Sequence, residues 1–513
     1  MRVKIKKENL YLSLIIILGF ILRMVPVLNN GFWHDEACSF FISGENSIKE
    51  LTLGADPVHP PLYYFLIKFW SKLNTSILFL RVPSVVFSLV SIFLVFKIAE
   101  SLGVNSLYGF LSSLLFSFSA FQIDYAWQAR MYTLELLLIL LSIYFLIPLL
   151  TTKNTQHLFF FVFSNILGFL ADYGFVWYLL SLHVAFLALN VLSLLKYGPW
   201  KALNRKGLLV GLLLSDFLIL FYVPVTIKVF SKALDSVAWI EFPTFNILQK
   251  TIYFFFGFAD KYGPKINTLY SIPATFLITS IFYFLKTDDK KLIRFFLFLI
   301  LLSFALPLFL SFQISKTLRS SIFLDRNLIV ASLFPIFTTG VLISKLLVHP
   351  KHHLNLLGVL SLAVFLFLNL NLYINRISGL YTDRRSGKRY KQVADFLKRR
   401  ANLEEELLIF LPKWRKIAFD YYFFNYYKNK KPNTPSYQLG SEEFLFNTQT
   451  GQVLGAQPGR VYWIIIPEPD GSDASILGGL KNLPTQCLTK DKSYEFAGAV
   501  VYRCELKTTT IKF

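Results

Sequence analysis

Two adjacent carboxylates, Asp35 and Glu36, stand in Asn30-Gly31-Phe32-Trp33-His34-Asp35-Glu36-Ala37, directly after the first long apolar run. A carboxylate partly withdrawn from water has its pKa raised, which suits it to take a proton from a hydroxyl nucleophile. The same pair can instead open a helix, with Asp35 as its cap and Glu36 set against its N-terminal dipole. A second group lies in Asp56-Pro57-Val58-His59-Pro60-Pro61, where prolines hold an acid and a histidine in a stiff loop. Histidine is the commonest metal ligand, so His34, Asp35, Glu36 and His59 form a candidate ligand set. They lack the short regular spacing of a zinc site, and a plain Pro-rich loop is the alternative.

Further chemistry is spread along the chain. Asp124-Tyr125-Ala126-Trp127-Gln128-Ala129-Arg130-Met131-Tyr132 places Arg130 at the start of an apolar span. A cation there can bind a phosphate or simply snorkel to the interface. Asp124 and Tyr132 flank it as candidate substrate contacts. Asp172 interrupts a nearly continuous apolar stretch; a carboxylate there is costly and is read as functional. Arg319 and Arg326, with Lys316, form a cationic group suited to the phosphate of a membrane-anchored substrate or to lipid head groups. Lys68, on the polar side of an amphipathic stretch, completes the candidate binding residues.

The elements that must position these residues follow from composition. Of 513 residues, 54% are hydrophobic and only 16% charged, against about 25% charged in soluble domains. A soluble enzyme, a disordered chain and a secreted disulfide scaffold are thereby excluded. The pattern predicts a polytopic α-helical membrane protein with a C-terminal soluble α/β domain. Eleven spans are expected near residues 9–28, 79–100, 106–121, 131–150, 157–171, 174–195, 207–229, 268–285, 295–313, 322–343 and 354–373. The basic N-terminus (Arg2, Lys4, Lys6, Lys7) has no small-residue cleavage site after its apolar run, so it reads as an uncleaved first span. The net charge of 52 − 31 = +21 falls largely between spans, on loops the positive-inside rule places in the cytoplasm. It points to anionic membrane lipids, not to nucleic acid.

This reading puts the N-terminus in the cytoplasm, the chain in the cytoplasmic membrane as a multi-pass protein, and the tail outside. The candidate residues gather on the outer face. The stretches 62–73 and 245–257 are too short to span and are expected to lie as interfacial helices in outer loops 1 and 4. Residues 1–373 form the expected membrane domain. Residues 374–513 alternate helix-like and strand-like runs and form the expected extracytoplasmic domain. They carry no nucleotide-binding fingerprint. Cys487 and Cys504 could pair there or remain reduced thiols.

The ordered motifs resemble the GT-C fold glycosyltransferases, within them the bacterial relatives of the protein O-mannosyltransferases and the lipid A aminoarabinose transferases. The matching pieces are Trp33-His34-Asp35-Glu36-Ala37, His59-Pro60-Pro61-Leu62-Tyr63-Tyr64 and Gln128-Ala129-Arg130-Met131-Tyr132. Weaker matches are Asp172-Tyr173, Tyr222-Val223-Pro224, Trp239-Ile240 and Asp325-Arg326-Asn327. The resemblance implies transfer of a hexosyl or pentosyl group, on the outer face, from a polyprenyl-phosphate sugar to a protein, lipid or glycan acceptor of the cell envelope, usually with inversion. It implies Asp35 as general base, Glu36 as its positioner or as ligand to a divalent metal ion where one is used, and Arg130 and Arg326 on the lipid phosphate. Two positions depart from the relatives: Gln128 stands where many carry Glu, and Asp172 where many carry His. A transporter or flippase of a lipid-linked glycan, and a non-catalytic membrane scaffold, are the alternatives.

Overall fold

A computed structural model describes residues 7–152, 155–194, 205–258, 291–318, 320–380, 387–400, 407–410, 416–427, 445–447, 452–454, 461–467, 494–496 and 499–505. The expected span at 268–285, Arg319 and Cys487 lie outside these residues. Among the described residues six helices are long and apolar enough to cross a membrane: Glu8–Asn29, Ile77–Leu102, Tyr132–Thr151, Leu292–Thr317, Asp325–Leu347 and His352–Ile377. A seventh candidate is the pair Lys206–Leu220 and Val223–Ser236, bent by 63° at its break. Shorter apolar helices occupy Leu107–Phe118, Gln156–Ala171 and Phe175–Val191. The chain is a multi-pass membrane protein.

The chain divides into two compact units, residues 1–29 with 42–382, and residues 30–41 with 383–513. In the first unit the helices are α1 (Lys7–Asn29), the last turn of α2 (His34–Glu45), α3 (Ile48–Thr52), α4 (Leu62–Trp70), α5 (Ile77–Leu102), α6 (Ser106–Phe118), α7 (Ala120–Ala126), α8 (Tyr132–Thr151), α9 (Thr155–Ala171), α10 (Phe175–Leu194), α11 (Arg205–Leu220), α12 (Val223–Ser236) and α13 (Phe245–Phe256). Beyond them come α14 (Lys291–Thr317), a 3₁₀ turn at Asp325–Ser332, α15 (Leu333–Leu347) and α16 (His352–Leu372). The short helices have local causes. Ser47 and Glu50 form a reciprocal capping box at α3, and Ser119 caps α7 through the Gln122 amide; each satisfies donors that a helix start leaves open. Thr244 caps α13, which ends on Gly257 in the left-handed region that glycine enters without strain.

Lipid offers no hydrogen bonds, so polar side chains inside the bundle find one another. Tyr178 of α10 donates to Ser142 of α8 at 2.9 Å, Ser142 to Asn165 of α9 at 2.7 Å, and Asn165 to Ser215 of α11 at 3.1 Å. One chain of hydroxyl and amide groups thus ties four helices. Arg23 of α1 is buried and donates to Ser88 of α5 and to the Ser117 carbonyl of α6. Asn369 of α16 accepts from the Ala120 amide at the start of α7 and donates to the Phe256 carbonyl at the end of α13. These ties fix α7 and the loop behind it, which carries Arg130.

In the second unit a four-stranded mixed sheet has the order β1 (Leu407–Phe410), β4 (Val461–Pro467), β6 (Ala499–Glu505), β5 (Tyr494–Phe496). Strands β1 and β4 are parallel, with Leu408 opposite Trp463; β4 and β6 are antiparallel, with Ile464 opposite Tyr502. A separate hairpin pairs β2 (Leu445–Asn447) with β3 (Gln452–Leu454). Helix α17 (Gly387–Arg400) buries Tyr390, Val393, Ala394 and Leu397, one face at helical spacing. Tyr390 meets Phe419 of α18 (Lys416–Tyr427) edge-on, with ring centres 5.0 Å apart.

Candidate active site

The first unit brings together five of the expected residues, one of them Tyr132. His59 lies in the loop before α4, Arg130 in the loop between α7 and α8, Tyr132 at the first position of α8, Asp172 at the break between α9 and α10, and Arg326 in the 3₁₀ turn. The His59 Nδ1 is 2.9 Å from Asp172 Oδ2, and its Nε2 is 2.9 Å from Arg130 Nη2. An arginine only donates, so this contact calls for Nε2 as the acceptor and Nδ1–H as the donor to Asp172. Asp172 is itself held, since its Oδ1 accepts the Gly174 amide at 2.7 Å. The result is a fixed series, Asp172 to His59 to Arg130, with all three side chains buried.

Both guanidinium groups reach the same ring. The Arg130 Cζ is 5.6 Å and the Arg326 Cζ 6.0 Å from the centre of Tyr132. Arg326 also lies 5.7 Å from the centre of Trp239, a largely exposed indole. Cation–π attraction orients each guanidinium. Two arginines around one aromatic ring suit an anion with several oxygens, such as a phosphate, because planar forks bind oxygen pairs.

Local structure explains why these loops hold still. Asp56 accepts the Val58 amide at 2.8 Å and the Tyr64 hydroxyl, so the proline-bounded loop is closed on itself ahead of His59. The Arg130 carbonyl accepts from Ser84 of α5 at 3.3 Å. Asp325 is buried and accepts the Tyr125 hydroxyl at 2.7 Å, which fixes the turn that carries Arg326. Gly174 has no room for a side chain: a Cβ there would stand 2.9 Å from the Asn327 carbonyl and 2.9 Å from a Glu135 oxygen. Beside Gly174, burial pushes the Tyr173 phenol above its ordinary value, and the charges of Asp56 and Asp172 act in the same direction.

The other expected residues have other settings. Asp124 is buried in α7, and its carbonyl accepts the Gln128 amide group. Lys68 donates to the carbonyls of Ser43, Gly44 and Asn46 at 3.1, 3.4 and 2.7 Å. Its ammonium closes the C-terminal end of α2, where a cation also meets the helix dipole. Asp35 and Glu36 belong to the second unit. Glu36 is buried, and its Oε2 accepts the Trp33 amide at 3.3 Å, the return half of a capping box. Asp35 is half-buried in the first turn of α2, and His34 Nε2 is 3.6 Å from the Cys38 sulfur.

The donor set does not fit a metal site. Among the described residues no three of His, Cys, Asp and Glu gather as ligands, and His59 has both ring nitrogens engaged by Asp172 and Arg130.

Sequence reasoning missed Glu135, Tyr125 and Ser84. Glu135 is buried in the first turn of α8; its Oε2 has no hydrogen-bond partner, and its other oxygen shares the crowded space at Gly174 with Asp172. The signal was present, since Glu135 is a lone acid in an apolar run, the same argument that singled out Asp172.

Comparison with known proteins agrees with the motif resemblance. Residues 58–222, which include His59, Arg130, Tyr132 and Asp172, match the family described as dolichyl-phosphate-mannose-protein mannosyltransferase. The apo crystal structure of ArnT from Cupriavidus metallidurans is similar over 97% of this chain and 98% of its own, with a TM-score of 0.51 and 11% identity. At that identity the likeness is one of fold, and the fold is GT-C-like. ArnT bound to undecaprenyl phosphate aligns over 96% of this chain and 97% of its own, with 11% identity and a TM-score of 0.47. The oligosaccharyltransferase AglB from Archaeoglobus fulgidus, in complex with an inhibitory peptide and a dolichol-phosphate, aligns over 84% of this chain and 61% of its own, with 12% identity and a TM-score of 0.44. No curated protein sequence matches the chain.

Proposed function

We propose that the chain is an inverting glycosyltransferase that moves a hexosyl or pentosyl group from a polyprenyl-phosphate donor to an acceptor on the outer face of the cytoplasmic membrane. The observation that carries this reading is the convergence of Arg130 and Arg326 on Tyr132, with Arg130 held by His59. In this reading the membrane domain is crossed eleven times, the N-terminus is cytoplasmic and the C-terminal α/β domain is extracytoplasmic. The amphipathic helices α4 and α13 lie in the interface, and membrane lipids surround the bundle.

The reaction makes one bond to the anomeric carbon and breaks another, with a proton moved from the acceptor to a base. The acceptor hydroxyl gives its proton to the Asp35 carboxylate, its oxygen bonds to the anomeric carbon, and the bond from that carbon to the phosphate oxygen breaks. Negative charge grows on the departing polyprenyl phosphate. Fixed guanidinium groups stabilise that charge without reorganising during the reaction, which is where electrostatic catalysis has its largest effect. Glu36 holds the helix start on which Asp35 sits. Asp124, Lys68 and Arg319 complete the proposed binding residues, Lys68 by ordering the end of α2. No step runs through a metal ion.

The test is sugar transfer from radiolabelled polyprenyl-phosphate sugars in reconstituted membranes. Wild type should transfer or slowly hydrolyse the donor, and Asp35→Asn should abolish both while leaving donor binding intact. Donor binding without turnover, with movement of the lipid-linked sugar across the bilayer, would instead mark a flippase.

A further inference from the structure

We propose that Tyr422 is a positioning residue for Asp35, so that the C-terminal unit takes part in catalysis by setting the segment that carries the base. The inference rests on the reading of Asp35 as general base. Residues 30–41 and 383–513 form one compact unit, although 341 residues of the other unit, 42–382, separate them in sequence. The Phe32 amide donates to the Tyr422 hydroxyl at 2.6 Å, and the same hydroxyl donates to the Phe32 carbonyl at 3.2 Å. A single phenol therefore satisfies both backbone polar groups of one buried residue. Phe32 further packs on Tyr421 with ring centres 4.0 Å apart, and Phe40 meets Tyr421 edge-on at 5.5 Å.

The position of this clamp gives it a consequence for chemistry. Helix α2 begins at His34, and Asp35 is in its first turn. One residue ahead, the Trp33 amide is held by Glu36 and the Trp33 carbonyl accepts the Ala37 amide at 3.0 Å. One residue further back, Phe32 is held by Tyr422. The backbone leading into α2 is thus fixed at consecutive residues, from within by Glu36 and from across the unit by Tyr422. A catalytic group must keep its productive geometry closely, since a displacement of about 1 Å can cost about a hundredfold in rate. Removing the hydroxyl alone leaves the aromatic packing in place but takes away two hydrogen bonds from the buried Phe32 backbone. The segment loses that restraint, and Asp35, three residues on, loses it too.

Simple packing makes a different prediction from positioning, and Tyr422→Phe separates them. The full chain is reconstituted and assayed with a radiolabelled polyprenyl-phosphate sugar, with kcat normalised to donor-binding sites. Positioning predicts a fall in kcat of about ten- to a hundredfold, with the donor KM within twofold of wild type. Hydrogen exchange gives a readout independent of activity: the Phe32 amide should be protected in wild type, and residues 32–37 should exchange faster in Tyr422→Phe. Wild-type kcat in folded Tyr422→Phe overturns the positioning role and leaves the base assignment standing. A fast-exchanging Phe32 amide in wild type overturns it without any variant. Full activity in Asp35→Asn removes the base assignment and this inference together, and is recognised because the failure appears in that variant.

Discussion

Replacing Asp172 by Asn tests the series that holds Arg130. Asp172 accepts two hydrogen bonds on separate oxygens, from His59 Nδ1–H at 2.9 Å and from the Gly174 amide at 2.7 Å. Asparagine has one oxygen and cannot serve both. If its oxygen faces Gly174, its amide group meets Nδ1, and His59 must move its proton to Nε2, which then confronts the Arg130 N–H. If its oxygen faces His59, two donors meet at Gly174. A hydrogen bond to a charged group contributes about 1.5–3 kcal/mol, and an unmatched buried donor costs a similar amount. At about 1.4 kcal/mol per factor of ten, one such loss transmitted to Arg130 lowers kcat/KM by about ten- to a hundredfold. The assay is donor turnover in reconstituted membranes, with Arg130→Ala and the double variant alongside. The double variant should be no worse than Arg130→Ala. Activity of Asp172→Asn within twofold of wild type, or fully additive losses in the double variant, refutes the reasoning.

The remaining expectations use other parts of the site. Arg326→Lys should bind donor about tenfold more weakly, because an ammonium loses both the planar fork and the stacking between Tyr132 and Trp239; a titration of immobilised protein with polyprenyl phosphate reads this directly. Gly174→Ala should destabilise the chain by about 1–3 kcal/mol through overpacking against a backbone carbonyl, seen as a lower Tm in detergent. Glu135→Gln should leave Tm unchanged or raise it, because it removes a buried carboxylate whose Oε2 has no hydrogen-bond partner and offers an amide to the nearby Asn327 carbonyl; a fall in Tm would count against that. The Glu50 carboxyl is held below its ordinary value of 4.5, first by the Ser47 amide. A depressed carboxyl stabilises the cap fully above pH 4.5 and loses that effect as pH falls through its lower folded value. Exchange of the amides of residues 48–52, corrected for intrinsic rates, should therefore rise only on strong acidification, and Glu50→Gln, which removes the titrating carboxyl, should abolish the pH step.

How much of this was legible in the sequence depends on the range of the force involved. Apolar runs announce spans because lipid demands them along the chain itself: among the described residues six of the expected spans coincide with helices long and apolar enough to cross, three with shorter apolar helices, and the one expected at 207–229 with two helices bent by 63°. Capping and periodicity are local too, which is why α4, α13 and α17 could be read from spacing. The partnership of His59 with Asp172 spans 113 residues and that with Arg130 spans 71. Each residue stood out by type, yet nothing local says that they touch. Lys68 shows the converse error of emphasis. An exposed-looking cation on an amphipathic helix suggests a ligand, whereas its ammonium has three backbone carbonyls as partners. The clamp of Tyr422 on Phe32, 390 residues away, had no sequence signal, because a tyrosine in an aromatic helix resembles any core residue.

The state of His59 constrains where acid–base work can occur. A histidine beside a carboxylate invites assignment as a general base, with the acid orienting the ring. Here the nitrogen that such a base would use is occupied by the Arg130 guanidinium at 2.9 Å. With that nitrogen taken, His59 is suited to pass the orientation fixed by Asp172 on to Arg130. Within the proposed reaction the hydroxyl proton must therefore go to a group outside this series. Asp35, a half-buried carboxylate in the first turn of a helix whose start is fixed at consecutive residues, is the group proposed for that role, and the mutational tests turn on it.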